Sequence, residues 1–501
     1  MALWLNPWLQ VMTLAASLVA AVVIFLLPEE RHGLRTFVNL GAAALKLVLV
    51  SVMVVGVFLG LEYQLAFTML PGIEFELKAD SLSMMFAGLS SVLWLLTTAY
   101  AVGYLENSPN RSRFFGFFSL CVASTTGIAL AGNLFTFFLF YEMLTLSTYP
   151  LVAHRGTDKA LRAARSYIIY TLSGGAVLLL GMAWLYVETG TLDFVPGGVV
   201  EDALEGEPTL ALTAIFVLLV AGLGVKAALF PLHGWLPRAM VAPAPVSALL
   251  HAVAVVKAGA FGIVRVISDV FGLGFANAAG WLLPLAALAA FTIIFGSVRA
   301  LFQQDLKRRL AFSTVSQVSY IILGVCLAGP LGMGGGLVHL LHQGIMKITL
   351  FFCAGNYAET LGVHRIDELD GAGPRMPATS VAFTIGAFGM IGTPPLAGFV
   401  TKWTLGLGAL EAEAPWVIVV LLTSSILNAA YFLPIVHRLW FRAPPRSWPA
   451  EVRWGRLETL GWLLWPPVVT AAAVVLAGLF AATPYSPLAW AELIVEREYR
   501  P

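Results

Sequence analysis

The sequence predicts an all-α polytopic membrane protein, and three observations carry that prediction. The chain is 59% hydrophobic and 11% charged, with a mean hydropathy of +0.85, whereas a soluble domain is about half apolar and about a quarter charged. Apolar runs of about 20 residues, the length that crosses the hydrocarbon core as a helix, recur along all 501 residues. The remaining charges fall in loops of alternating sign, basic on one side and acidic on the other. The same composition excludes other classes. No basic tract or Gly-rich phosphate loop points to a nucleic acid or nucleotide partner. Cys121, Cys326 and Cys353 lie singly inside apolar runs without metal-ligand spacing, so they read as small buried residues. Neither a metal nor a cofactor is expected.

The first run, near 5–27, lacks the positive start and small-residue cleavage site of a signal peptide and reads as a retained helix. Runs near 40–61, 81–105, 114–131, 134–153 and 165–188 follow. Further runs lie near 210–230, 247–268, 280–298, 309–328, 332–357, 380–406, 416–440 and 458–482, giving about fourteen spanning helices. Arg31 and Arg35 follow the first run, Arg111 and Arg113 the third, and Arg155, Lys159, Arg162 and Arg165 the fifth. The seventh is followed by Arg238, the ninth by Arg299, Lys307, Arg308 and Arg309, and the eleventh by Arg365 and Arg375. Arg438, Arg442, Arg446, Arg453 and Arg456 follow the thirteenth. The opposite side carries Glu62, Glu74, Glu76 and Asp80, then Asp193, Glu201, Asp202, Glu205 and Glu207, then Glu411 and Glu413. Basic loops stay in the cytoplasm, which puts both termini outside it.

With loops and tails assigned, Lys46, Lys226, Lys257, Lys347 and Lys402 remain within apolar runs. Intramembrane charges are costly and face a bundle interior or a hydrated cavity. Lys46 is the exception, read as snorkelling to the interface; the others read as functional. Glu142, deep in the fifth run, is the matching acid. A buried Glu–Lys pair is strongly coupled, so moving one proton changes the partner's affinity. The pair therefore reads both as a counter-ion contact and as a relay step.

Two runs are broken. The segment GLGVKAALFPLHGWLPRAMVAPAPVSALLHAVAVVKAGAFGIVR carries Lys226, is interrupted at Pro231 and Pro237, and resumes with His251 and Lys257. The segment IGAFGMIGTPPLAGFVTKW is interrupted at Pro394 and Pro395 before Lys402. Proline removes a helical donor, and a broken backbone persists in lipid only where protein or a hydrated cavity satisfies it. Corresponding broken helices in two halves point to inverted repeats: helices 4–8 and 9–13, with helices 7 and 12 discontinuous. The expected units are residues 1–107, the repeats 108–270 and 271–445, and a C-terminal helix with its tail, 446–501. Between the breaks, GLVHLLHQGIMKITLFFCAG places His339, His342 and Lys347 on one helix face. Histidine exchanges protons near neutral pH, although hydrogen bonding to a neighbouring helix would also account for one.

PLHGWLPRAMVAPAPVSALLHAVAVVKAG, QDLKRRLAFSTVSQVSY, MKITLFFCAG and GTPPLAGFVTKW resemble the signatures of the antiporter-like subunits shared by respiratory complex I and the multisubunit (Mrp-type) monovalent cation/proton antiporters. The resemblance covers helices 4 to 13. It implies the fourteen-helix fold, a coupled Glu142–Lys226 pair, a connection through Lys257 and the helix 11 groups, and Lys402 at the far end. Length and the short final tail resemble the D-type antiporter subunit. Arg165 stands where relatives often have lysine, Arg238 where they have an acidic or small residue, and Gln343 where some have histidine.

The expected function is proton translocation through a Glu/Lys/His relay in a multisubunit Na⁺ or K⁺/H⁺ antiporter of the prokaryotic inner membrane. Other membrane subunits, the bilayer and these ions are the partners. A proton-pumping subunit of a redox complex is the alternative, its electrons belonging to partner subunits because this chain has no redox motif. A non-conducting scaffold is the third reading, opposed by the retained Glu142, Lys226, Lys257 and Lys402.

Overall fold

The computed structural model describes residues 8–105, 108–200 and 208–499. Glu201, Asp202, Glu205 and Glu207 of the expected acidic loop lie outside the described residues. Helices α1 (Trp8–Leu26), α2 (His32–Phe58), α3 (Ser81–Tyr104), α4 (Arg111–Leu130), α5 (Leu134–Val152) and α6 (Asp158–Thr189) form the first part. Then come α7 (Leu210–Lys226), α8 (Ala244–Phe271), α9 (Leu282–Leu301), α10 (Leu306–Val325) and α11 (Pro330–Leu361). The chain closes with α12a (Pro377–Ile391), α12b (Ala397–Glu411), α13 (Trp416–Phe441), α14 (Gly461–Leu479) and α15 (Pro487–Glu498). Each expected apolar run coincides with one of these helices or with the α12 pair. Among the described residues, 11 helices are long and apolar enough to cross a membrane, while α7 and α12a are shorter apolar helices.

Local chemistry sets the starts. Asp80, Asn133, Thr157, Thr209 and Asp305 each accept a backbone N–H from the first turn of α3, α5, α6, α7 and α10. The outermost helices keep their apolar residues outward, as in Leu45 and Val48 of α2 or Leu422 and Ile426 of α13. By contrast the α8 span is buried along its whole length, which makes it the axis of the bundle. It contains two π-helical stretches, Leu249–Val253 and Val266–Phe271.

Within this helical fold one loop of the sequence reading needs correction. The sequence reading assigns residues 62–80 to an acidic loop, but Tyr63–Leu70 and Ile73–Ala79 pair as an antiparallel hairpin, with Phe67 opposite Phe75. The segment from Ile73 alternates apolar and polar residues, the strand period, and Gly72 supplies the positive φ of the turn. The hairpin docks on the α4–α5 junction, where Gly132 N–H donates to the Glu76 carbonyl at 3.0 Å.

Candidate functional site

Both breaks seen in the sequence are present, and they are built differently. α7 ends at Lys226, and the carbonyl of Val225, which loses its helical partner there, accepts the Trp235 indole N–H at 2.7 Å. Lys226 is fully buried and reaches across to α5, donating to the Tyr141 carbonyl, with its ammonium 3.3 Å from the centre of the Tyr141 ring. At the second break, Lys402 lies beyond the gap on α12b and donates backward, to Ile391 O at 2.7 Å and Met390 O at 3.3 Å. It therefore caps the end of α12a with a positive charge where the helix dipole is negative. Its third donor goes to Ser425 Oγ on α13 at 2.7 Å. Gly392, at φ +92°, makes this possible: a Cβ there would lie 2.7 Å from Lys402 Cδ.

Between the breaks runs a line of buried polar groups. Lys257 on α8 donates to the Leu340 carbonyl of α11 at 2.7 Å. Two residues on, Gly259 lets α8 touch the end of α7; a Cβ would lie 2.2 Å from Ala227 N. Lys257 also lies within electrostatic reach of His339 and Lys347. His339 is buried with both ring nitrogens unpartnered and stacks on Tyr320 of α10, centroids 5.1 Å apart. The same tyrosine ring lies 5.8 Å from the Lys402 ammonium. Lys347 donates to Ser313 Oγ at 2.6 Å and Leu310 O at 3.2 Å, and Tyr431 of α13 donates to that serine at 2.9 Å. His251 is buried against Phe351, centroids 4.6 Å apart, with neither ring nitrogen bonded. In this line the lysines donate only to neutral oxygens, and both ring nitrogens of His251 and of His339 are buried without a partner.

The transmembrane family described as "NADH:quinone oxidoreductase/Mrp antiporter, TM" matches residues 131–428. This chain belongs to that family. Residues 70–115 also match the N-terminal region described for chain 5 of complex I. Relatives come from both branches. The N-type subunit of the NADH-quinone oxidoreductase of Desulforudis audaxviator is 38% identical over 420 residues, 81% of this chain and 82% of that protein. The D-type subunit of the Na(+)/H(+) antiporter of Bacillus subtilis is 30% identical over 366 residues, 73% of each. The fold is similar throughout to a chain of the Mrp complex from Dietzia sp. DQ12-45-1b, with a TM-score of 0.87 and 25% identity over 100% of this chain and 98% of that one.

Within this antiporter-like fold, several sequence expectations are refined. Glu142 does not form a salt bridge with Lys226. Its carboxylate oxygens are buried without a hydrogen-bond partner against Gly175 of α6, where a Cβ would lie 2.0 Å from Oε1. The two charges still feel each other electrostatically. His342 reaches toward α12b, its Nδ1 2.9 Å from Thr401 Oγ1, because three residues leave it about 60° short of a full turn from His339. Gln343 is buried with its amide unpartnered, whereas Arg165 is exposed near the start of α6, away from the line. Lys46 does not snorkel: it is fully buried in the middle of α2. Sequence reasoning missed Tyr141, Tyr320, Ser313 and Tyr431, since a tyrosine or serine in an apolar run carries no signal of its own. Their importance comes from what packs opposite.

Proposed function

We propose that this chain is the proton-translocating subunit of a multisubunit monovalent cation/proton antiporter, exchanging Na⁺ or K⁺ for H⁺. One observation carries the reading: four lysines and three histidines line the path from one helix break to the other, and among the described residues none of the four lysines has a salt-bridge partner. A buried base with neutral partners can lose its proton without stranding a counter-charge. The relay runs from Glu142 and Lys226 through Lys257 to His339, Tyr320 and Lys402, with His251, His342 and Lys347 as branches. Pro231, Pro394 and Pro395 keep the breaks open. The two broken helices belong to inverted repeats, α4–α8 and α9–α13, in a fourteen-span topology whose basic loops face the cytoplasm of a prokaryotic inner membrane and whose termini face outward. The repeats fill residues 108–270 and 271–445, between an N-terminal unit (1–107) and a C-terminal unit (446–501).

A second reading is favoured by the 38% identity to a subunit of an NADH-quinone oxidoreductase: proton pumping driven by redox partners. Purifying the native assembly through a tag on this chain separates the two. An iron-free complex whose everted vesicles show cation-induced pH changes supports antiport. Stoichiometric iron with quinone-linked proton uptake and no cation response refutes it.

A further inference from the structure

Lys46 lies outside both family-matched segments and outside the proposed relay. Its ammonium donates to Thr126 Oγ1 of α4, is 3.4 Å from the Val122 carbonyl, and lies 5.1 Å from the centre of the Trp94 ring on α3. Among the described residues no carboxylate pairs with it. An apolar side chain would fill this place without the cost of desolvating a charge, so packing alone does not account for a lysine here.

The lysine ends a polar seam. Arg35, Asn39 and Lys46 are buried along α2, and Ser112, Ser119 and Thr126 recur at every seventh position of α4. They meet rung by rung: Arg35 Nη1 donates to Ser112 Oγ at 2.8 Å, Ser119 Oγ to Asn39 Oδ1 at 3.4 Å, and Lys46 to Thr126. Asn39 Nδ2 and Trp94 Nε1 are buried donors without partners, the kind of group that holds internal water. The opposite face of α4 presents Cys121, whose Sγ lies 3.2 Å from Ser147 Oγ and 3.3 Å from Thr148 Oγ1 of α5 and within electrostatic reach of Lys226. α4 thus has one buried lysine on each side, with hydroxyl or thiol groups facing both.

We propose that Lys46 is a further proton-binding site. Its amine takes one proton from water in the α2/α4 seam, reached from the basic-loop end at Arg35. It returns to the neutral amine as that proton passes across α4 toward Lys226. The ligand is H⁺ rather than a metal cation, because the site's own ionisable group is a base. The inference rests on the relay reading of Lys226. Other titratable or charged groups on the packed elements are His32 and Arg35 of α2, Tyr100 and Tyr104 of α3, and Arg111, Arg113 and Cys121 of α4; α1 contributes none.

The test uses everted vesicles carrying the whole assembly, with assembly checked on a native gel and transport followed by a pH dye across a pH series. Assembled Lys46→Met and Lys46→Arg should lose about a hundredfold in rate, the low end of what a positioned proton-transfer group contributes. Lys46→His should recover part of the rate with its profile moved to lower pH, because imidazole titrates near 6.5 and lysine near 10.4 in water. A parental rate and profile in Lys46→Met or Lys46→Arg overturns the proposal. If the lysine variants do not assemble, Thr126→Val decides: a slower rate with a displaced profile supports the site, and an unchanged profile overturns it. Lys402→Arg in the same vesicles separates the readings. An active Lys402→Arg beside a failing Lys46→Met removes Lys402 from the relay and leaves the step from Lys46 to Lys226 standing, and the converse removes Lys46 alone.

Discussion

Lys402 is where structure gives the sharpest test of the relay, because its structural and transport roles respond differently to arginine. The ammonium makes three hydrogen bonds, to Ile391 O, Met390 O and Ser425 Oγ, and the side chain is half-buried. Bonds to a charged donor contribute about 1.5–3 kcal/mol each when water cannot replace them. Because the side chain is only half-buried, these contributions are discounted, and Lys402→Ala should cost about 2 kcal/mol in all. Lys402→Arg keeps the charge and offers five donors to the same carbonyls, through the space that Gly392 leaves, and should cost under about 1 kcal/mol. Transport should not follow stability. Guanidinium does not release its proton in the working range, so both variants should fall by about a hundredfold or more. Cation-induced dequenching of a pH dye in everted vesicles reads the rate, and thermal denaturation of the purified assembly reads the stability. A stable, assembled and active Lys402→Arg would show that the lysine only caps α12a, and the relay as drawn would be wrong.

Other outcomes follow from the same geometry. Glu142→Gln and Lys226→Ala should each nearly abolish ion-driven pH changes in the assembled complex, and near-parental transport in either would reduce these residues to packing. Gly398→Ala places a methyl 1.9 Å from the Gly389 carbonyl, so the α12 break must shift and the assembly should lose about 1–3 kcal/mol by thermal denaturation; an unchanged midpoint would refute the close approach. Burial, reinforced by Asp80 and Asp269 and opposed by Arg265, pushes the Glu498 carboxyl up to about 8. Its folded form therefore holds a proton that the undocked form, titrating near 4.3, releases, and α15 should dock more tightly as pH falls from about 8 toward about 5. Hydrogen exchange of the α15 amides, corrected for intrinsic rates, checks the sign; greater protection at high pH would contradict it. Cysteine labelling of sealed vesicles should reach the loop between α6 and α7 from outside and the Arg438–Arg456 loop only from within, and labelling of both from one side would sink the fourteen-span topology.

The sequence by itself determined the membrane class, the helical runs and the places where two of them break. Each depends on local quantities: apolar length against bilayer thickness, and proline's missing donor. It also marked Lys226, Lys257, Lys347 and Lys402, because a charge inside an apolar run is visible without any partner. What it could not determine was which way each charge turns. Lys226 and Lys402 both read as lysines beside a break, yet one crosses to α5 and the other folds back to cap its own helix. That choice depends on the carbonyl left free by the break and on a glycine, Gly392, giving room to reach it. Lys46 reads as a snorkelling residue because the sequence does not reveal that Thr126 and Trp94 enclose it. The hairpin at Tyr63–Ala79 reads as an acidic loop because its charges mask the period-two pattern, and its docking on Gly132 needed the fold. Tyr141 and Tyr320 had no signature at all, since their role is set by a lysine or histidine brought against the ring from a distant helix, and only tertiary packing decides that.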